Sequence, residues 1–149
     1  MYRWVKRGVI ALAIVAGIGF LLWQMNNDQQ VVRLHGHSYH ISVMRTQDEL
    51  ARGLSGSDNL PTDRAMVFAF PRDNKWAIWM KDMKYPIDIV WLDANKNVVH
   101  LVKSAQPSSY PETDFKPDVN ARYVIELPSG TIERTGIIIG DPAGLPSDI

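Results

Sequence analysis

Three polar residues interrupt apolar runs. Lys81 follows Trp79-Met80, Asp88 lies inside Ile87-Asp-Ile-Val-Trp-Leu92, and Glu126 lies inside Tyr123-Val-Ile-Glu-Leu127. A buried carboxylate costs several kcal/mol unless it is paired or hydrogen-bonded, so Lys81 is the expected partner and the three residues are expected to form one cluster. Such a cluster can line a ligand pocket, and it can equally be a buried ion pair that sets sheet register. As chemistry, Asp88 and Glu126 form a candidate acid/base pair for glycoside hydrolysis. A separation of about 5 to 5.5 Å suits retention, about 6.5 to 9.5 Å suits inversion, and both groups must then open into one cleft.

Aromatic residues stand close by in the chain. Trp76, Trp79 and Trp91 can stack on sugar rings, line an apolar groove, or simply pack a core. Strand alternation separates Trp76, Ile78 and Met80 from Ala77, Trp79 and Lys81, which puts Trp79 on the face of Lys81. The candidate ligand-binding set is therefore Lys81, Asp88, Glu126 and Trp79. Met44, Met66, Met80 and Met83 read as packing. In His35-Gly-His37-Ser-Tyr-His40, a strand would place His35 and His37 on one face at a spacing that can chelate copper or zinc, but no third ligand follows. An exposed polar strand explains the same residues. Gly53-Leu-Ser-Gly56-Ser57 misses the nucleophile-elbow pattern by one position, and phosphate-loop, dinucleotide and zinc-protease motifs are absent. No cofactor is implied.

These residues need elements to hold them. Residues 31–44 alternate as two half-buried strands around Gly36. Thr46-Gln-Asp-Glu49 has the form of a capping box, and a short helix follows with Leu50 and Leu54 inward and Gly53 as its stop. Residues 55–64 read as loop. Strands are expected at 65–70, 75–80, 86–92 and 98–102, with turns at 71–74 and 93–97. A long loop at 106–120, a strand at 122–127, one helical turn in 129–135 and an all-apolar strand at 137–139 complete the pattern. The tail beyond Pro142 is expected to fray. This order predicts a mainly β fold with short helices (α+β), a compact β-barrel or sandwich.

Residues 8–25, GVIALAIVAGIGFLLWQM, carry no charge and follow Arg3, Lys6 and Arg7. About 20 apolar residues at 1.5 Å rise cross a core of about 30 Å, with Trp4 and Trp23 as interfacial anchors. A cleaved leader is the competing reading. The run ends in large side chains instead of the small-residue pattern that cleavage needs, which favours retention. The organisation is then a basic start at 1–7 on the cytoplasmic side, a single-pass anchor at 8–25, a linker at 26–30, a domain at 31–141 and a tail at 142–149. The domain faces the periplasm or cell exterior, from the inner membrane. Removing the three leading cations leaves 13 basic against 16 acidic residues, which argues against nucleic acid as a partner.

Five fragments in order, Gly53-Leu54, Ala65-Met-Val-Phe-Ala-Phe70, Trp79-Met-Lys-Asp82 with Pro86-Ile-Asp-Ile-Val90, Val124-Ile-Glu-Leu-Pro-Ser-Gly130 and Gly136-Ile-Ile-Ile-Gly-Asp141, resemble the domain of unknown function 192 family. The resemblance covers residues 31–141. It implies a small β-rich domain, often behind an exported leader, and no established reaction. Met83 and Ser129 depart from the family pattern, where a small polar residue and an alanine are expected. Two functions follow: a non-catalytic, membrane-tethered module for a small ligand, glycan or envelope protein, or an envelope saccharide hydrolase using Asp88 and Glu126. The topology is testable directly. A periplasm-active reporter joined after Ile149 is expected to be functional and the mature protein to keep Met1; a reporter active only in the cytoplasm contradicts the anchor.

Overall fold

The computed structural model describes residues 30–149. The anchor expected at residues 8–25 lies outside them. Among the described residues no helix is long and apolar enough to cross a membrane.

Seven strands form one sheet: β1 (Val31–Leu34), β2 (His37–Met44), β3 (Arg64–Asn74), β4 (Ile87–Leu92), β5 (Val98–Ala105), β6 (Ala121–Pro128) and β7 (Ala143–Gly144), with two short helices, α1 (Gln47–Arg52) and α2 (Thr131–Thr135). The order across the sheet is β5-β4-β6-β3-β2-β1-β7. The mainly β expectation with short helices holds. The sheet is single, so the sandwich alternative is corrected. Its two edge regions are tied where Val98 exchanges backbone hydrogen bonds with the segment 140–141 and Ala143 N–H donates to Lys96 O at 2.8 Å. The sheet therefore curls into a partial barrel.

Local chemistry explains several joints. His35 and Gly36 both have positive φ, 45° and 78°, between the paired residues Leu34 and His37. That is the two-residue hairpin whose twist suits the flanking strands, and glycine takes its second position without cost. The Asp93 carboxylate accepts from the N–H groups of Asn95 and Asn97, closing the turn between β4 and β5.

Four expectations fail. Residues 71–74 continue β3 instead of turning, because the β3 and β6 ladder is irregular between Ala69 and Asn74 and the missing N–H of Pro71 falls in that gap. Residues 75–80 form an extended segment held by reciprocal bonds between Ile78 and Phe115, not a ladder strand. Residues 137–139 form no strand, since Asp141 accepts from Ile138 N–H and donates its own N–H to Ile138 O, which makes a turn. The tail does not fray at once either, as Ala143 pairs with Leu34.

The β4 and β6 pair is the centre. Every residue of β4 is buried. Val90, Leu92, Ile125 and Leu127 face the inside of the curl, with Val32, Val67 and Ile132. Ile87, Ile89, Trp91 and Val124 face a second apolar layer with Leu54, Phe68 and Met80. The four methionines singled out in the sequence all belong to this second layer.

Asp88 is on the inner side and fully buried. Its Oδ1 accepts from Ser104 N–H at 2.8 Å and Gly130 N–H at 3.2 Å, and its Oδ2 from Ile132 N–H at 2.7 Å. Gly130 is the N-cap of α2 and offers no side chain, so Asp88 performs the capping role from a strand. Ser104 has φ 49° and sits where β5 slips against β4, its N–H freed from the ladder. Asp88→Ala leaves three backbone donors without this acceptor; the buried Ile132 N–H costs about 1 to 3 kcal/mol, and the part-buried Ser104 and Gly130 N–H groups cost less. Thermal unfolding is expected to show a midpoint lowered by about 5 °C or more; a shift below about 2 °C would contradict this role.

Candidate functional site

The outer layer opens into a cleft of about 490 Å³, a size suited to a small ligand. One wall is α1, which the predicted capping box starts. Thr46 Oγ1 accepts from Glu49 N–H at 3.3 Å, while Glu49 Oε2 accepts from Thr46 and Arg45 N–H at 2.9 and 3.0 Å. Those backbone donors hold the Glu49 carboxyl below its ordinary range. At Gly53 the helix stops against the sheet, where any Cβ would stand 2.9 Å from Phe68 Cζ. A side chain there would displace the helix or the phenyl ring.

The opposite wall is aromatic. Phe70 stacks on Trp76, ring centroids 4.1 Å apart and 8° from parallel, and Trp76 donates its indole N–H to Arg72 O. Trp79 and Met83 border the same space. Trp79 is 46% exposed while Ile78 and Met80 are buried, so the alternation read from the sequence holds without a ladder strand.

Glu126 lies at the cleft, between Met66 of β3 and Ile89 of β4 in register. It is 4% exposed, and its Oε2 is buried with no hydrogen-bond partner. Burial pushes its pKa up to about 8, so the acid is largely neutral at pH 7. Tyr85 is near enough for the Glu126 charge to raise its phenol, although burial does most of that, and its hydroxyl meets Ser57 Oγ at 2.6 Å.

The expected cluster is thus divided. In the antiparallel register Asp88 opposes Leu127 and Ile89 opposes Glu126, so the two carboxyls leave the pair on opposite faces. Asp88 and Glu126 share no cleft, and the acid/base pair required for glycoside hydrolysis does not form. Lys81 is exposed and outside the cleft; it contributes its backbone O, which accepts from Ser55 Oγ at 2.8 Å. Glu126 and Trp79 remain together. Trp91 is core, its indole N–H donating to Trp76 O. His35 is in the hairpin turn, not on a strand, and its Nδ1 lies 2.8 Å from Asp141 Oδ2. His37 opens β2, and among the described residues no three metal-ligating side chains gather.

Phe68, Phe70 and Tyr85 were not among the residues singled out. For the two phenylalanines the signal is the alternation of Met66, Phe68 and Phe70, which share a strand face with each other and, through pairing, with Glu126; Tyr85, outside any strand, carries no such signal. Met83, the departure from the family pattern, lines the cleft with an apolar side chain. Ser129, the other departure, donates to Ser104 Oγ beside the Asp88 cap.

Residues 30–144 match the DUF192 family, described as "Uncharacterized ACR". The chain belongs to this family. Two UPF0127 proteins are similar: one from Thermococcus gammatolerans, 32% identical over 72% of this chain and 65% of its own length, and one from Thermococcus sibiricus, 35% identical over 60% and 55%. The matched part therefore spans less than two thirds of these relatives. A crystal structure of a protein of unknown function from Novosphingobium aromaticivorans matches this DUF192 domain with TM-score 0.70 and 27% identity, over 77% of this chain and 81% of that one. A Sinorhizobium meliloti protein, described as a candidate transcription regulator, matches with TM-score 0.73 and 24% identity over 78% and 93%, a likeness of fold alone.

The Glu126 acid makes stability depend on pH in a stated direction. The unfolded carboxyl releases its proton near pH 4.5 and the folded one near 8, so between these values the folded state binds more protons and stability falls as pH rises. The contribution is complete below about 4.5 and gone above about 8, with an upper size of about 5 kcal/mol. Urea unfolding at pH 5, 6.5 and 8 is expected to show this slope in the wild type and a flatter one in Glu126→Gln; parallel slopes would contradict the buried acid.

Proposed function

We propose that this DUF192 domain is a non-catalytic binding module, tethered to the inner membrane by residues 8–25, that holds a small ligand in the cleft between α1 and the aromatic wall, in contact with Glu126 and Trp79. The observation that carries this reading is the buried, unpartnered Glu126 oxygen in a mainly apolar cleft. A fold gains nothing from such a group. It loses hydrogen bonds to water, which costs about 1 to 3 kcal/mol, and that loss persists where a site needs the group. The half-exposed Trp79 supports the same reading, since a large apolar side chain beside a concave opening is where a ligand would recover buried area. The extracytoplasmic address rests on the uncharged run behind three cations.

Stability and binding are expected to move in opposite directions. Glu126→Leu removes the unpartnered acid and raises the unfolding midpoint by several degrees, about 1 to 3 kcal/mol. The same change abolishes binding of those small molecules that shift the Trp79 indole resonance in the wild type. A fall in midpoint by several degrees would make Glu126 a structural residue and remove the basis of the reading.

A further inference from the structure

Resting on the cleft as a ligand site, the nature of its surroundings narrows what it takes. Besides aliphatic residues, the apolar lining of the cleft that holds Glu126 is made of π systems and a thioether: Phe68, Phe70, Trp76, Trp79 and Met83. No counter-ion has been provided. Across the sheet Glu126 is flanked by Met66 and Ile89, both uncharged. The titratable group that senses it from the loop side is Tyr85, which is held by Ser57. Two arginines line the cleft, and neither forms an ion pair with Glu126. Arg45 Nη2 donates to Asp148 O at 3.0 Å and lies 3.5 Å from its carboxylate, and Arg52 acts on Glu49 within α1. Neither lowers the Glu126 carboxyl, whose shift comes from burial alone.

A carboxyl group without a cation, among aromatic faces, matches the two attractions that an organic cation offers at once. Ring faces attract positive charge through their quadrupoles, most strongly at Trp. A carboxylate bonded to a cationic donor makes a bond about twice as strong as the neutral one that an uncharged ligand would receive. We infer that the cleft recognises a protonated alkyl- or arylalkylamine, with its N–H donors seated on Glu126 and the organic substituents against Trp79 and the Phe70 and Trp76 stack. Binding converts the acid to its carboxylate and releases its proton to solvent, so the ligand cation replaces the proton as the neutralising charge.

The test uses the full chain in nonionic detergent with two probes of similar shape, benzylammonium and benzyl alcohol, titrated by calorimetry from pH 6.5 to 8.5. The cation is expected to bind at least tenfold more tightly. Its association constant is expected to rise about tenfold per pH unit below the Glu126 pKa and level off above about pH 8. Titration at pH 6.5 in two buffers of different ionisation heat is expected to report close to one proton released per ligand. Glu126→Gln is expected to lose the pH dependence and at least tenfold in cation affinity, and Trp79→Ala to weaken both probes. Tighter binding of benzyl alcohol, with affinity falling above about pH 8, overturns the cation inference and leaves the binding site standing. Failure of both probes, unaffected by Trp79→Ala, overturns both.

Discussion

The structure depends on the register of β4 against β6. These two strands are covered on both sides, so any carboxyl they carry must enter one of two dry layers. Register decides which. With Asp88 opposite Leu127 and Ile89 opposite Glu126, one carboxyl points into the curl and the other away from it. The same physical demand, that a buried polar group find partners, then meets two different surroundings. Inside the curl, Asp88 is met by three amides from the β5 irregularity and the start of α2. On the other side, Glu126 meets ring faces and aliphatic chains, keeps its proton, and leaves an oxygen unsatisfied.

The cleft follows from the one parallel pair in the sheet. Strands β2 and β3 run the same way, so the chain between them must return across a face. It returns over the outer layer, where Leu54 is buried and Leu50 is partly buried. That return lays α1 above Phe68, and the missing side chain of Gly53 sets how closely it lies. The loop carrying Trp76 and Trp79 covers the rest of the face, anchored at Phe115. The walls are thus short connections, while the floor belongs to β3 and β6.

Local signals were legible in the chain and longer-range ones were not. The capping box at Thr46 and Glu49, the hairpin at His35-Gly36 and the strand at residues 86–92 each depend on residues a few positions apart, and each forms as read. The pairing of β4 with β6 depends on sequence neighbours nearly forty residues apart, and shifting it by one residue would exchange the faces of both carboxyls. Nothing in the composition of either strand distinguishes those registers. Hence Glu126 and Trp79 border one cleft, whereas the sheet holds Asp88 and Lys81 apart from it. The isoleucines at 137–139 mislead for another reason. Their strand propensity is real, but Gly136, Gly140 and the Asp141 side chain impose a turn, which leaves Ile138 and Ile139 exposed.

The closing contacts of the sheet join regions from opposite ends of the described chain: β1 pairs with β7, and the approach to β7 also holds the start of β5. Contacts between residues so distant in sequence are slow to form, because the intervening chain must lose its freedom before the contacts reward it. The curl cannot be completed until residues 140–144 have been synthesised, because they supply its closing contacts. Until then β1 lacks the neighbour it will acquire from β7, so the unfinished domain offers a strand edge that the finished one has covered.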